Sequence, residues 1–190
     1  MYIAMNRITK IALISLLLFG GLGLWIMDFA REPTAGEFLM GFSSVPLQCI
    51  VGLLFGSLAG ASCWWLIRLS FMQPVHNKYT KLFQSLKLQS SDIIIISLCA
   101  GIGEELFFRG AIQPYLGIYL TAIIFVALHG YLDPRDWRLS IYGVLMTIII
   151  IGLGYFTEYV GIISAITAHV VIDLILLYFL LRVSPQNKVI

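Results

Sequence analysis

Glu104, Glu105 and Arg109 lie in a segment that is otherwise apolar enough for a membrane interior. At the centre of a spanning helix a charged residue costs roughly 2.5–3.5 kcal/mol, whereas each Leu, Ile or Phe contributes only about 0.3–0.6 kcal/mol in favour of insertion. Three such charges cost on the order of 7–10 kcal/mol. The segment cannot face lipid as an isolated ionised helix. It demands a fold in which other helices pair, neutralise or hydrate these groups, and charges kept at such cost mark a functional site.

The rest of the chain agrees with a membrane setting. Of its 190 residues 59% are hydrophobic and only 12% charged, against about 25% charged in a soluble domain. The expected fold class is all-α: one polytopic membrane domain over residues 1–190. The net charge of +2 is scattered, with no basic stripe, so nucleic acid is not an expected partner. Cys49, Cys63 and Cys99 are odd in number and set in apolar runs. They read as small buried hydrophobes, with no disulfide framework and no CxxC metal site.

Six apolar segments can be marked off, at about 9–28, 45–72, 92–112, 116–130, 139–157 and 161–181. The fourth is short and Pro114 separates it from the third, so those two are expected to form a helical hairpin that carries the first charged motif. Arg7 and Lys10 precede the apolar run 11–27, as in a signal peptide. That run is long for a signal, and Asp28-Phe29-Ala30 puts a charge at the candidate cleavage site, so an uncleaved first span is expected. Basic residues cluster on one side: Arg7 and Lys10, then Arg68, Lys78, Lys81 and Lys87, then Arg135 and Arg138, then Arg182 and Lys188. The other side has Arg31 against Asp28, Glu32 and Glu37, and a loop near Glu158 without a base. The positive-inside rule then places both termini in the cytoplasm. Compact size, together with the family resemblance described below, suggests a bacterial cytoplasmic membrane.

Two features admit more than one reading. Residues 73–91 mix Tyr79, Leu82, Phe83, Leu86 and Leu88 with lysines, as in an amphipathic helix on the cytoplasmic surface or an ordinary basic loop. Gly52, Gly56 and Gly60 form a small-residue stripe suited to close helix packing, either within the monomer or in a dimer.

Three constellations could carry chemistry. In Glu104-Glu105-x-x-x-Arg109, residues 105 and 109 share a helix face while Glu104 is turned about 100° away. One glutamate can be held by the arginine while its neighbour stays free for proton transfer. Gly101, Gly103 and Gly110 allow another helix or a substrate backbone to come close. The second constellation is Phe125-x-x-x-His129, and the third is His169-x-x-x-Asp173, whose carboxylate can orient the imidazole. The third histidine, His76, is expected to be solvated in the polar loop. Each pattern alone is more often an ion pair or a structural histidine. Together on three apolar segments they point to one shared site.

These residues, in this order, resemble the CPBP family of intramembrane proteases, also called Abi, which comprises CAAX proteases and bacteriocin-processing enzymes. Its motifs are EExxxR, FxxxH and HxxxN or HxxxD. The resemblance covers about residues 90–182, as a catalytic core, and leaves the first two spans outside. It implies an endopeptidase that uses glutamate-activated water. Glu104 is then the base, His129 helps to hold or deprotonate the water, and His169 stabilises the oxyanion with Asp173. Glu105, Arg109 and Phe125 support them. Relatives that cut prenylated proteins typically carry Asn at the last position, a donor that an ionised Asp173 cannot replace; the expected role for Asp173 is to orient His169. Peptide or protein substrates are implied, among them prenylated tails, bacteriocin leaders and membrane-anchored peptides. No cofactor is expected, although Glu104, His129 and His169 could alternatively hold zinc. A non-enzymatic scaffold or immunity partner, and a proton-coupled transporter, are the competing classes. One difficulty stands: six simple crossings place Glu104 near mid-membrane and His129 near the cytoplasmic end.

Overall fold

The structure, a computed structural model, describes residues 7–30 and 35–182. Arg31, Glu32 and Lys188, and the side chain of Glu37, lie outside the described residues. Among the described residues there are seven helices: α1 (7–30), α2 (Ala35–Met40), α3 (Val45–Ile67), α4 (Gln73–Ser85), α5 (Ser90–Leu128), α6 (Trp137–Tyr159) and α7 (Ile162–Arg182). Five of them, α1, α3, α5, α6 and α7, are long and apolar enough to cross a membrane. The protein is a multi-pass membrane protein.

Five such helices rather than six appear because the third and fourth apolar segments are two limbs of α5. A straight helix would hold residues 104 and 129 about 38 Å apart, yet His129 Nε2 lies 3.5 Å from Glu104 Oε2. The rings of Phe108 and Phe125 are likewise only 4.9 Å apart. The chain therefore doubles back between these pairs. Gly117, at φ +73° and ψ 169°, is the non-helical residue inside α5. That backbone region is open essentially to glycine alone, so the turn falls there and not at Pro114, which continues the first limb. Moving the apex from 114 to 117 sets residues 104 and 129 level. The two residues that six simple crossings set at different depths therefore meet.

Between Leu106 and Ile112 the first limb widens into a π-helical turn. α1 packs against this stretch: a Cβ on Gly23 would lie 2.7 Å from the carbonyl carbon and oxygen of Leu106. Gly103 and Gly110 face Leu16 and Met27 of α1, and Gly101 faces Val170 of α7. The glycines around the charged motif thus admit neighbouring helices. Thr9 adds a buried hydrogen bond of 2.6 Å to Asp92 at the foot of α5.

The stripe on α3 is used within the chain. A Cβ at Gly52 would come within 2.5 Å of the Ser164 carbonyl oxygen, and one at Gly56 within 2.6 Å of that of Ala168. With α7 already occupying this face, Gly52, Gly56 and Gly60 are not available to a second copy. The core runs through Phe108, Phe125, Ile150, Leu153, Ala168 and Ile172, and joins the hairpin to α6 and α7.

Residues 73–85 are helical, as the apolar spacing around Tyr79 and Phe83 suggests, with Pro74 in the first turn where its missing N–H is harmless. α4 packs against α7, and this buries Val75, His76 and Thr80. His76 is therefore not solvated. It has no exposed surface and its ring lies 5.7 Å from that of Trp64. Four residues of spacing put it on the same inward face as Thr80, which sequence polarity alone concealed.

Candidate active site

The two adjacent glutamates part company because one residue of helix turns a side chain by about 100°. Glu105 faces inward and is fully buried; Arg109, also fully buried, donates from Nε to Glu105 Oε2 at 3.0 Å. The other oxygen of Glu105 lies 2.8 Å from His169 Nδ1, so that nitrogen carries the hydrogen and Nε2 points away. Arg109 Nη1 reaches Gln113 Oε1 at 3.5 Å, and Gln113 donates to the Gly154 carbonyl at 3.2 Å and to Glu158 at 3.1 Å. A polar chain thus runs from buried His169 along the hairpin to exposed Glu158 near the C-terminal end of α6.

Glu104 faces a cavity of about 260 Å³. Its Oε2 is 3.5 Å from His129 Nε2 and 4.0 Å from His169 Nε2, and among the described residues it has no hydrogen-bond partner. His129 caps the second limb of α5; its Nδ1 donates to the Phe125 carbonyl at 2.7 Å, which leaves Nε2 to Glu104. Phe125 stacks on His129 at 4.3 Å and meets His169 edge-on at 5.9 Å. Arg109 lies over its ring at 5.8 Å. The phenylalanine separates the two imidazoles and holds both at one height.

All seven residues singled out in the sequence converge here: Glu104, Glu105, Arg109, Phe125, His129, His169 and Asp173. For Asp173 the geometry departs from the expectation. Its Oδ2 lies 3.8 Å from His169 Nε2, beyond a direct hydrogen bond. Glu105 is the carboxylate that orients His169. Asp173 stands at the cavity wall with Glu104.

The cavity itself shows what the motifs could not. One end is polar, with Glu104, His129, His169 and Asp173, and the remaining wall is apolar, including Ile96, Ala100, Leu176 and Leu180. α4, outside the motif region, adds Val75, Tyr79 and Phe83. Tyr131 also reaches the cavity and stacks on His129 at 5.9 Å. Gly130, a glycine directly after a helix-ending histidine, is the one sequence signal that could have drawn attention to it. Among the described residues no three His, Cys, Asp or Glu side chains group so as to hold a metal ion.

Residues 87–175 match the family model for type II CAAX prenyl endopeptidases, Rce1-like. This stretch, just under half of the chain, is similar to an Rce1-like domain. It begins just before α5, ends just past Asp173, and so contains every motif residue. The chain is also 37% identical over 83 residues to YpbD of Bacillus subtilis (strain 168), an uncharacterized protein; the match covers 43% of this chain and 41% of that one. The matched part is therefore less than half of the relative's length. No solved structure matches the chain.

Proposed function

We propose that the protein is an intramembrane endopeptidase in which Glu104 activates water against a peptide bond of a membrane-associated or lipidated substrate. One observation carries the reading. Glu104 Oε2 is buried without a hydrogen bond, 3.5 and 4.0 Å from two imidazole nitrogens, at the polar end of an otherwise apolar cavity. A carboxylate kept there without a direct hydrogen bond is costly, and the use that offsets the cost is proton transfer.

In this mechanism a water sits between Glu104 and His129 Nε2. Glu104 takes one of its protons as the water oxygen attacks the carbonyl carbon. The carbonyl π pair moves to oxygen, and His169, held by Glu105 through Nδ1, meets the developing charge from Nε2 as an imidazolium. The tetrahedral intermediate then collapses, the C–N bond breaks, and Glu104 returns the proton to the departing amine. Arg109 holds Glu105 in place through its Nε hydrogen bond. The apolar wall accepts a bulky apolar or lipid-bearing residue beside the scissile bond, as a prenylated tail, a bacteriocin leader or a membrane-anchored peptide would present. With both termini in the cytoplasm, the loop between α5 and α6 and helix α4 lie on the cytoplasmic side, and substrate enters from there.

The test compares membranes carrying the wild type with membranes carrying Glu104→Gln, at equal protein level, by proteomic mapping of new peptide termini. Products that vanish with the variant identify substrates. Identical product profiles would move the protein to the scaffold or immunity class.

A further inference from the structure

The recognised motifs supply a developing oxyanion with few hydrogen-bond donors. Glu104 and Asp173 are acceptors when ionised, and His129 spends its Nδ1 hydrogen on the Phe125 carbonyl. His169 alone remains, and it donates from Nε2 only as an imidazolium. Tyr131, which lines the cavity with its ring stacked on His129, brings another donor type, a phenol.

Several independent features fix Tyr131 there. α5 ends in a Schellman motif: Gly130 N–H donates to the Ala127 carbonyl at 2.9 Å and Tyr131 N–H to that of Val126 at 3.3 Å. Gly130 takes φ +73° to do so, and the chain swings the next side chain back over His129. The Tyr131 ring stacks on His129 at 5.9 Å, 24° from parallel, and meets Tyr142 edge-on at 5.1 Å. Behind it, a Cβ on Gly143 of α6 would come within the contact distance of the Tyr131 carbonyl and lie 2.8 Å from its carbonyl carbon. The glycine lets α6 press against the loop backbone. A residue held by a helix cap, two rings and a neighbouring helix, with its ring on the cavity wall, is placed and not merely tolerated.

We propose that Tyr131 is a further catalytic residue, whose hydroxyl donates a hydrogen bond to the substrate carbonyl as it becomes an oxyanion. This rests on the peptidase reading above. Burial, then the charges of Asp173 and Glu104, push the phenol above its usual range, so it stays a protonated donor at any working pH. The proton remains on Tyr131 throughout, and no bond to it forms or breaks. Placement beside an acidic pair also explains why a phenol suits the position better than a lysine: a neutral donor leaves the charge balance of Glu104 and His129 intact.

The experiment uses full-length protein in detergent and a panel of fluorogenic peptides, with and without a prenylated cysteine. Tyr131→Phe keeps both ring contacts and should lower kcat on the order of 10²–10³-fold, with KM within about threefold and an unchanged melting temperature. Asp173→Asn introduced into Tyr131→Phe supplies an amide donor and should recover at least tenfold of the lost rate. Gly143→Ala, which moves the Tyr131 backbone, should lower kcat in the wild type and have little further effect in Tyr131→Phe. A Tyr131→Phe enzyme that cleaves within twofold of an active wild type overturns the role of Tyr131 alone. A folded wild type that cleaves none of the panel, and shows no product lost on Glu104→Gln, overturns the peptidase reading and this one with it.

Discussion

The two sides of the first limb of α5 carry the same residue type with opposite fates. On the sealed side Glu105 is held by Arg109 and His169, continued through Gln113 to Glu158, and none of the Glu105–Arg109 pair reaches solvent. On the open side Glu104, His129 and Asp173 keep 17%, 32% and 28% of their side-chain surface, and Glu104 stands 3.5 Å from His129, longer than a close hydrogen bond. The sealed side behaves as structure: a buried pair whose halves need each other. The open side is arranged for a partner that comes and goes. Identical side chains one residue apart can thus serve opposite ends, because the helix turns one inward and the other into a cavity.

The contrast can be broken from either side, and the largest effect is expected on the open one. Glu104→Gln should lower the cleavage rate up to about 10⁴-fold, the upper range for loss of a general base, with the thermal midpoint in detergent unchanged. A parallel fall in stability would show that Glu104 also belongs to the sealed network. Next comes Arg109→Leu, which strands the Glu105 carboxylate and should destabilise the fold by about 3–5 kcal/mol, read as a lowered midpoint and poor recovery of monodisperse protein. Leucine at both 105 and 109 should return most of that stability, since an apolar pair can replace a buried ion pair. Activity should stay lost, because His169 then has no carboxylate on Nδ1. Recovery of activity in this double variant would separate His169 from Glu105.

A smaller effect is expected at the hairpin apex. Gly117→Ala meets no neighbour at its Cβ, so its cost is confined to the backbone, about 1–3 kcal/mol for a side chain in a glycine-only region. Distance measurements between spin labels at 108 and 125 would report any opening of the limbs. The smallest expected change is none: dialysis against a chelator should leave the cleavage rate and the elemental content of active protein as they were. Inhibition reversed by zinc would instead recruit Glu104, His129 and His169 as ligands.

How far the sequence carried the description follows from range. Glu105 with Arg109, Phe125 with His129 and His169 with Asp173 are each four residues apart, and local helix geometry already places each pair on one face. Their distribution over apolar segments, where charge is expensive, already implied that they meet. The exact meeting was not legible. Pro114 looked like the break because proline punctuates helices, but it sits in a helical turn after a π-helical stretch, and Gly117 takes the reversal. His76 looked solvated because its neighbours in sequence are polar, whereas α4 turns it against Trp64. Asp173 looked like the partner of His169 because it is one turn away, while Glu105, sixty-four positions distant, makes the 2.8 Å contact.

By itself the sequence determined that the chain is a bundle of membrane helices and that the charges within its apolar segments must be paired or hydrated, since lipid penalises every charge left alone. Only the tertiary structure decided which glutamate is sealed and which is open, where the hairpin turns, and that Tyr131 and α4 join the cavity. Those outcomes depend on contacts between residues far apart along the chain, and no local pattern encodes which distant group arrives first at a shared oxygen.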